Sequence, residues 1–366
     1  MTPVETRKCI RTLKPYPPGK PIEEVQREFG LKHVCKMASN ENPLGSSPKA
    51  LEALRKASKD AYLYPDGHAY YLRKKLSRKL RVPEDWLVFG NGSDELIYLI
   101  AMAYVRSGEN VIVSEKCFIE YKITTQIMNG RLKEIPTKDF AHDIHSFVRA
   151  IDKKTRAIMF SNPSNPLGTM IDKKEVDYIV KKTPKRVLLV LDEAYYEYGK
   201  SRNYPNSLYY LKTNPNVIVL RTFSKAYGLA GLRIGYGIAQ PEIIENLNRV
   251  RPPFNVNRLA QEAALAALDD KEHILRSLKV NSEGKKYLYG EFKKMGLSYI
   301  PTHTNFILFD VKRDGKEIFN TLLRLGVIVR PMSIYGMPTF LRVTIGTMTE
   351  NRKCITALKK ALSLHT

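Results

Sequence analysis

Through the middle of the chain, short apolar runs alternate with longer stretches whose apolar positions recur at helical spacing. Leu87-Val88-Phe89, Val111-Ile112-Val113 and residues 157–160, 187–191 and 217–220 are apolar runs too short for helices. Uninterrupted hydrophobicity of that length predicts strands buried on both faces. Residues 234–239 extend the set, and residues 94–105 predict a helix after the first run. Strands alternating with helices predict an α/β fold around an open, mostly parallel sheet. Such sheets bind ligands beyond the carboxyl ends of their strands.

The character changes after residue 255. Residues 261–278 and 283–294 predict helices, and residues 305–311, 327–330 and 341–345 predict strands. This order suits a smaller α+β domain. Pro252-Pro253 marks the boundary. The expected division is an N-terminal arm over residues 1–40, a large α/β domain over 41–255 and a small C-terminal domain over 256–366. The proline-rich residues 15–20 read as an ordered arm.

Composition narrows the class. Of 366 residues, 43% are hydrophobic, enough for a sizeable core. No apolar run approaches the roughly 18 residues of a membrane span. Residues 1–14 are polar and basic, so no secretory leader is expected there. Cys9, Cys35, Cys117 and Cys354 are scattered without a CxxC pair, which fits a reduced, cytoplasmic protein better than a disulfide scaffold or zinc site. Sixty Lys+Arg against 37 Asp+Glu give a net charge of +23. A nucleic-acid partner, an anionic substrate and a lysine-rich solvated surface all suit that excess. The basic residues are spread along the chain with no nucleic-acid-binding motif, which favours the solvated surface. His142 and His145 stand three apart, but no third ligand accompanies them, so no metal is expected.

The richest chemistry lies in residues 221–233, Arg-Thr-Phe-Ser-Lys-Ala-Tyr-Gly-Leu-Ala-Gly-Leu-Arg, after an apolar strand. Lys225 can form a Schiff base with a carbonyl. Thr222, Ser224 and Arg233 can hold a phosphate through hydroxyl and guanidinium hydrogen bonds. Gly90-Asn91-Gly92-Ser93-Asp94-Glu95 joins a strand to a helix, where backbone N–H groups can meet an anion; a tight turn capped by Ser93 or Asp94 would look the same. Glu95 occupies the third glycine position of a dinucleotide fingerprint, which excludes that reading. Asp192 ends an apolar run, and a carboxylate there is costly without a cationic partner. Asn165 lies in Ser161-Asn162-Pro163-Ser164-Asn165-Pro166-Leu167-Gly168, whose two Asn-Pro pairs disfavour helix.

These motifs resemble those of pyridoxal-phosphate (PLP) aminotransferases of fold type I, and most closely the histidinol-phosphate aminotransferase branch. The resemblance runs from about residue 10 to residue 350. It implies a large, mostly parallel sheet domain, a smaller α+β domain and PLP bound to Lys225. It implies that Gly92, Ser93, Asp94, Thr222, Ser224 and Arg233 hold the cofactor phosphate. Asp192 would pair with the pyridine nitrogen, Asn165 and Tyr195 would face the phenolic oxygen, and Phe118 would stack on the ring. Glu115-Lys116-Cys117 stand where relatives often carry proline, a departure just before Phe118. Tyr64, in Tyr62-Leu63-Tyr64-Pro65-Asp66-Gly67, would reach the neighbouring subunit's cofactor, which implies a homodimer with shared sites.

Substrate choice rests on other residues. Leu13-Lys14-Pro15-Tyr16-Pro17-Pro18-Gly19 and Ser39-Asn40-Glu41-Asn42-Pro43-Leu44-Gly45 are similar to the opening of the histidinol-phosphate branch. The resemblance makes Tyr16, Asn42, Arg330 and Arg342 the substrate contacts, with the arginines facing phosphate or carboxylate. The expected reaction passes an amino group from L-histidinol phosphate to 2-oxoglutarate by ping-pong kinetics through Lys225. Aromatic aminotransfer and phosphothreonine decarboxylation remain open within the superfamily. A basic nucleic-acid-binding protein on the same fold is the alternative from another class.

Overall fold

A computed structural model describes residues 4–15, 17–199 and 203–364. Tyr16 lies outside the described residues. The chain builds thirteen strands among these residues: β1 (Cys35–Lys36), β2 (Leu87–Gly90), β3 (Asn110–Ser114), β4 (Arg131–Ile135), β5 (Thr155–Ser161), β6 (Leu188–Asp192), β7 (Val217–Thr222), β8 (Gly235–Ala239), β9 (Ser298–Ile300), β10 (Phe306–Asp310), β11 (Val327–Ile328), β12 (Arg330–Pro331) and β13 (Phe340–Thr344).

Seven strands form the large sheet in the order β2-β8-β7-β6-β5-β3-β4, with β8 antiparallel to both neighbours and the other pairs parallel. The mostly parallel sheet is therefore as expected. Its central strands are buried on both faces, which is why they read as unbroken apolar runs. One face packs on the helices Ser93–Tyr104 and Pro241–Val250 through Leu96, Ile97, Ile100, Ile244 and Leu247. The opposite face buries Leu72, Leu76, Ile158, Leu191 and Val219. Edge strand β4 is not among the expected elements. Its sequence, Arg-Leu-Lys-Glu-Ile, is half-exposed and has polar residues at three of five positions, so it carries no apolar run.

The register sets the site. Ser161 pairs with Asp192 across β5 and β6, Asp192 with Leu220 across β6 and β7, and Thr222 with Gly235 across β7 and β8. The carboxyl ends of adjacent parallel strands thus bring Ser161, Asp192 and Thr222 to one edge.

The smaller sheet is antiparallel in the order β12-β13-β10-β9, and β1 pairs with β11 in a separate two-stranded ladder. Two expectations change here. Residues 327–330 do not form one strand: Val327 and Ile328 pair with β1, while Arg330 and Pro331 pair with β13. Residues 261–278 do not form one helix: the helices are Arg258–Ala267 and Lys271–Lys294, and the second runs through the expected gap at 279–282. Asp270 starts it, its carboxylate accepting from the His273 N–H at 3.0 Å and from the Ser47 hydroxyl at 2.6 Å. Ala260, Ala263, Ala264 and Leu268 join the large-sheet core, whereas Cys35 and Met37 join that of the small sheet. Among the described residues, no helix is long and apolar enough to cross a membrane.

Candidate active site

A cavity of about 360 Å³ opens at the carboxyl ends of β5, β6 and β7, between the two sheets. Lys225, Asp192, Tyr195, Asn165 and Arg342 line it. So do Ser93, Asp94, Phe118, Thr222, Ser224 and Arg233. Residues separated by up to 249 positions in the chain therefore converge, Ser93 being the earliest and Arg342 the latest of these.

Lys225 is carried on the loop after β7. Phe223 and Ala226 are fully buried beneath it and fix the loop. Gly228 follows with φ +69°, and a Cβ there would lie 2.1 Å from the Gly45 carbonyl oxygen, so only glycine allows the close approach. The Lys225 amine lies 3.3 Å from the Ser39 carbonyl oxygen and 5.8 Å from the Tyr195 ring centre. Burial, then the Arg342 cation, lower its pKa to about 8.

Asp192 is 3% exposed. Its carboxylate accepts from the Tyr121 hydroxyl at 2.6 Å and from the Ala194 N–H at 3.0 Å. Burial pushes its pKa up to about 6 despite those two donors. It forms no ion pair with Lys or Arg among the described residues. The neighbouring Glu193 is the opposite case: it pairs with buried Arg221 at 2.7 Å and accepts from the Ser207 hydroxyl at 2.6 Å. Asp192 is thus a buried carboxylate at the cavity that still lacks a cation. Tyr121 was not among the expected site residues; it stands one helical turn after Phe118, and the two rings meet edge to face at 5.8 Å.

Buried Tyr195 packs its ring edge on Phe306, and burial pushes its phenol up to about 12. Its oxygen accepts from the Asn40 amide at 2.9 Å. Asn165 receives the Arg342 guanidinium on Oδ1 at 2.7 Å, and its own N–H donates to the Ser161 hydroxyl at 3.0 Å. Arg342 also donates to the Ala38 carbonyl at 3.1 Å and stands 4.9 Å from the Phe306 ring. Its Nε is buried without a hydrogen-bond partner. Arg330 pairs with Arg342 across β12 and β13, lines the same cavity and donates to the Pro17 carbonyl at 3.0 Å.

At the other end lies an anion cradle. Gly92 precedes the helix Ser93–Tyr104 with φ +81°, and no side chain caps that helix. Ser93 and Asp94, at the start of this helix, line the cavity beside the positive end of the helix dipole. The Thr222 hydroxyl donates to the Ser224 hydroxyl at 3.0 Å. Arg233 reaches over Gly92 to Asp94 at 2.8 Å, and a Cβ on Gly92 would lie 2.7 Å from the guanidinium.

One expected contact falls elsewhere, and Tyr64, expected to serve the neighbouring subunit, lies away from its own chain's cavity. Asn42 does not line the cavity. Its amide donates to the Ala226 carbonyl and the Ser277 hydroxyl, each at 2.8 Å, and its carbonyl accepts from the Leu44 N–H at 3.0 Å. It therefore fastens the N-terminal segment behind the Lys225 loop, with both ends of the amide used. Asn40, two residues earlier, lines the cavity in its place. Tyr64 is 81% exposed, stacked on Phe254 at 4.9 Å, outside the cavity of its own chain. His142 hydrogen-bonds Ser114 and the Ser161 carbonyl, and burial lowers its pKa to about 4.

The donor set fits a phosphorylated aromatic cofactor carrying a ring cation: a glycine-built helix start with Thr222, Ser224 and Arg233 beside it, an unpaired buried carboxylate and a lysine, all lining one cavity. The class I and II aminotransferase family model matches residues 32–358, and the chain belongs to that family. The histidinol-phosphate aminotransferase of Moorella thermoacetica is 52% identical over 98% of this chain and 93% of its own length. That of Caldicellulosiruptor saccharolyticus is 48% identical over 97% and 99%. The crystal structure of histidinol-phosphate aminotransferase from Sinorhizobium meliloti, in complex with pyridoxal 5′-phosphate, is similar with a TM-score of 0.92 and 27% identity, covering 99% of both chains.

Proposed function

We propose that this protein is a PLP-dependent aminotransferase that moves the amino group of L-histidinol phosphate to 2-oxoglutarate, a step of histidine biosynthesis. Near full-length identity to relatives of that name supports the substrate. The observation that carries the reading is the cavity itself, where Lys225, Asp192 and the Arg330–Arg342 pair face one space.

Bound pyridoxal phosphate supplies an aldehyde carbon to receive the amino group and a ring to accept the electrons left by α-deprotonation. Asp192 would hold the pyridine nitrogen protonated, and that ring cation would supply the partner its buried carboxylate lacks. Lys225 would anchor the cofactor and would serve as the base for the substrate α-proton; with a pKa lowered to about 8, roughly a tenth of such an amine is neutral at pH 7, far more than of an ordinary lysine. Tyr195 and Asn165, which line the cavity, would orient the phenolic oxygen, and Phe118 would stack on the ring. Gly92, Ser93, Asp94, Thr222, Ser224 and Arg233 hold the cofactor phosphate. Arg342 and Arg330 take the substrate's anionic group, and Tyr16 assists them.

The exposed Tyr64–Phe254 pair supports a homodimer in which Tyr64 completes the partner's site. Four free cysteines support a reducing, cytoplasmic setting. Borohydride treatment followed by mass spectrometry tests the reading: the cofactor mass is expected on Lys225, and Lys225→Ala should be folded, unlabelled and inactive. Label on another lysine, or full turnover by the variant, would overturn it.

A further inference from the structure

Asn40 has no place in the assignment above, yet all four of its polar groups are committed. It sits at φ +58°, a conformation that asparagine tolerates better than most residues. Its N–H donates to the Thr344 hydroxyl at 2.9 Å, and its carbonyl accepts from the Asn305 amide at 2.9 Å. The Thr344 hydroxyl donates in turn to Asn40 Oδ1 at 3.2 Å. That bond fixes the amide's orientation, so Nδ2 faces Tyr195 and donates to its oxygen at 2.9 Å. The phenolic hydrogen of Tyr195 then points elsewhere, and the cavity that Tyr195 lines is the open direction. Thr344 ends β13 of the small sheet, while Tyr195 follows β6 of the large one.

Resting on the proposed cofactor, we propose that Asn40 is a positioning residue: its amide holds the Tyr195 hydroxyl as a hydrogen-bond donor toward the cofactor's phenolic oxygen and ties that geometry to the small sheet through Thr344. A donated hydrogen bond stabilises the phenolate and makes the neighbouring cofactor–lysine nitrogen more acidic. Asn40 therefore tunes the proton affinity at Lys225 without touching the lysine. The charged groups acting most on Lys225 are Arg342, Asp94, Glu41 and Arg233, with Asp192, Glu120 and Arg330 also lining its cavity, and none of them is changed by substituting Asn40.

The test is a spectrophotometric pH titration of the cofactor's visible absorbance in the holoprotein, without substrate. Asn40→Ala is expected to raise the apparent pKa by about half a pH unit or more, as the loss of one buried hydrogen bond implies. Thr344→Val, which keeps the asparagine but frees its amide, should move the titration in the same direction by less. In a Tyr195→Phe background, Asn40→Ala should add no shift, because the relay has lost its hydroxyl. Coloured, folded variants with an unchanged titration would overturn this inference while leaving the functional reading intact. An equal shift with and without the Tyr195 hydroxyl would also overturn it. A parent protein that binds no chromophore would overturn both.

Discussion

The Tyr121 hydroxyl donates a 2.6 Å hydrogen bond to Oδ2 of Asp192, and both residues are buried beneath the cavity. Tyr121 makes the buried carboxylate tolerable but does not neutralise it. Tyr121→Phe removes that donor, with an expected stability cost of about 1–3 kcal/mol in the cofactor-free protein. Holoenzyme stability should fall less, because in the proposed role Asp192 would then have the ring cation as its partner. Thermal melts with and without cofactor check both.

The same carboxyl predicts a pH dependence. Burial raises its pKa from 3.8 to about 6, so the folded state prefers the protonated form. Its contribution to stability is full below the unfolded pKa and is lost as pH rises through about 6. Cofactor-free protein should therefore lose Tm relative to Asp192→Asn between about pH 4 and pH 6. Bound cofactor should abolish that difference. A constant difference across the range contradicts the assignment.

Arg342 binds Asn165 and Ala38 while keeping Nε unpartnered. Arg342→Ala is expected to raise KM for the phosphorylated substrate about 10–100-fold, the loss of one charge-assisted contact. The effect on kcat should be smaller. Steady-state kinetics with varied substrate separates the two.

Gly92→Ala places a Cβ 2.7 Å from the Arg233 guanidinium at φ +81°. With ψ 166° this backbone is one essentially reserved for glycine and costs an alanine about 1–3 kcal/mol, and Arg233 must move. Cofactor dissociation should become markedly faster. Gly290→Ala, a helical glycine with nothing within 4 Å of its Cβ position, is the control and should leave cofactor binding unchanged.

The proposed sharing of sites between subunits predicts complementation. Lys225→Ala and Tyr64→Ala are each expected to be weak or inactive alone. Unfolded together and refolded as mixed dimers, they should regain activity, because one site per mixed dimer then carries both residues intact. No recovery, with mixed dimers verified by mass, contradicts the role of Tyr64.

The large sheet was readable from the chain because β5, β6 and β7 are buried on both faces and leave unbroken apolar runs. Lys225, Asp192, Asn165 and Arg233 sit in compact motifs at strand ends, where side-chain type and position coincide. Edge strand β4 left no such signal. The boundary expected at residue 255 overlooks Ala260 to Leu268, because a helix reads as amphipathic whichever core receives it. Asn42 and Asn40 share one motif, and only tertiary hydrogen bonding tells which amide faces the cavity. Tyr121 was hidden for the same reason: its partner Asp192 lies 71 positions away.

The most direct measurement is a half-reaction: purified yellow holoprotein mixed with L-histidinol phosphate and no 2-oxo acid, followed by absorbance. Bleaching of the chromophore in proportion to active sites is expected, at concentrations far below those at which phenylalanine or tyrosine act. Equal or better conversion with the aromatic amino acids, release of carbon dioxide from O-phosphothreonine, or no spectral change with histidinol phosphate would contradict the assignment.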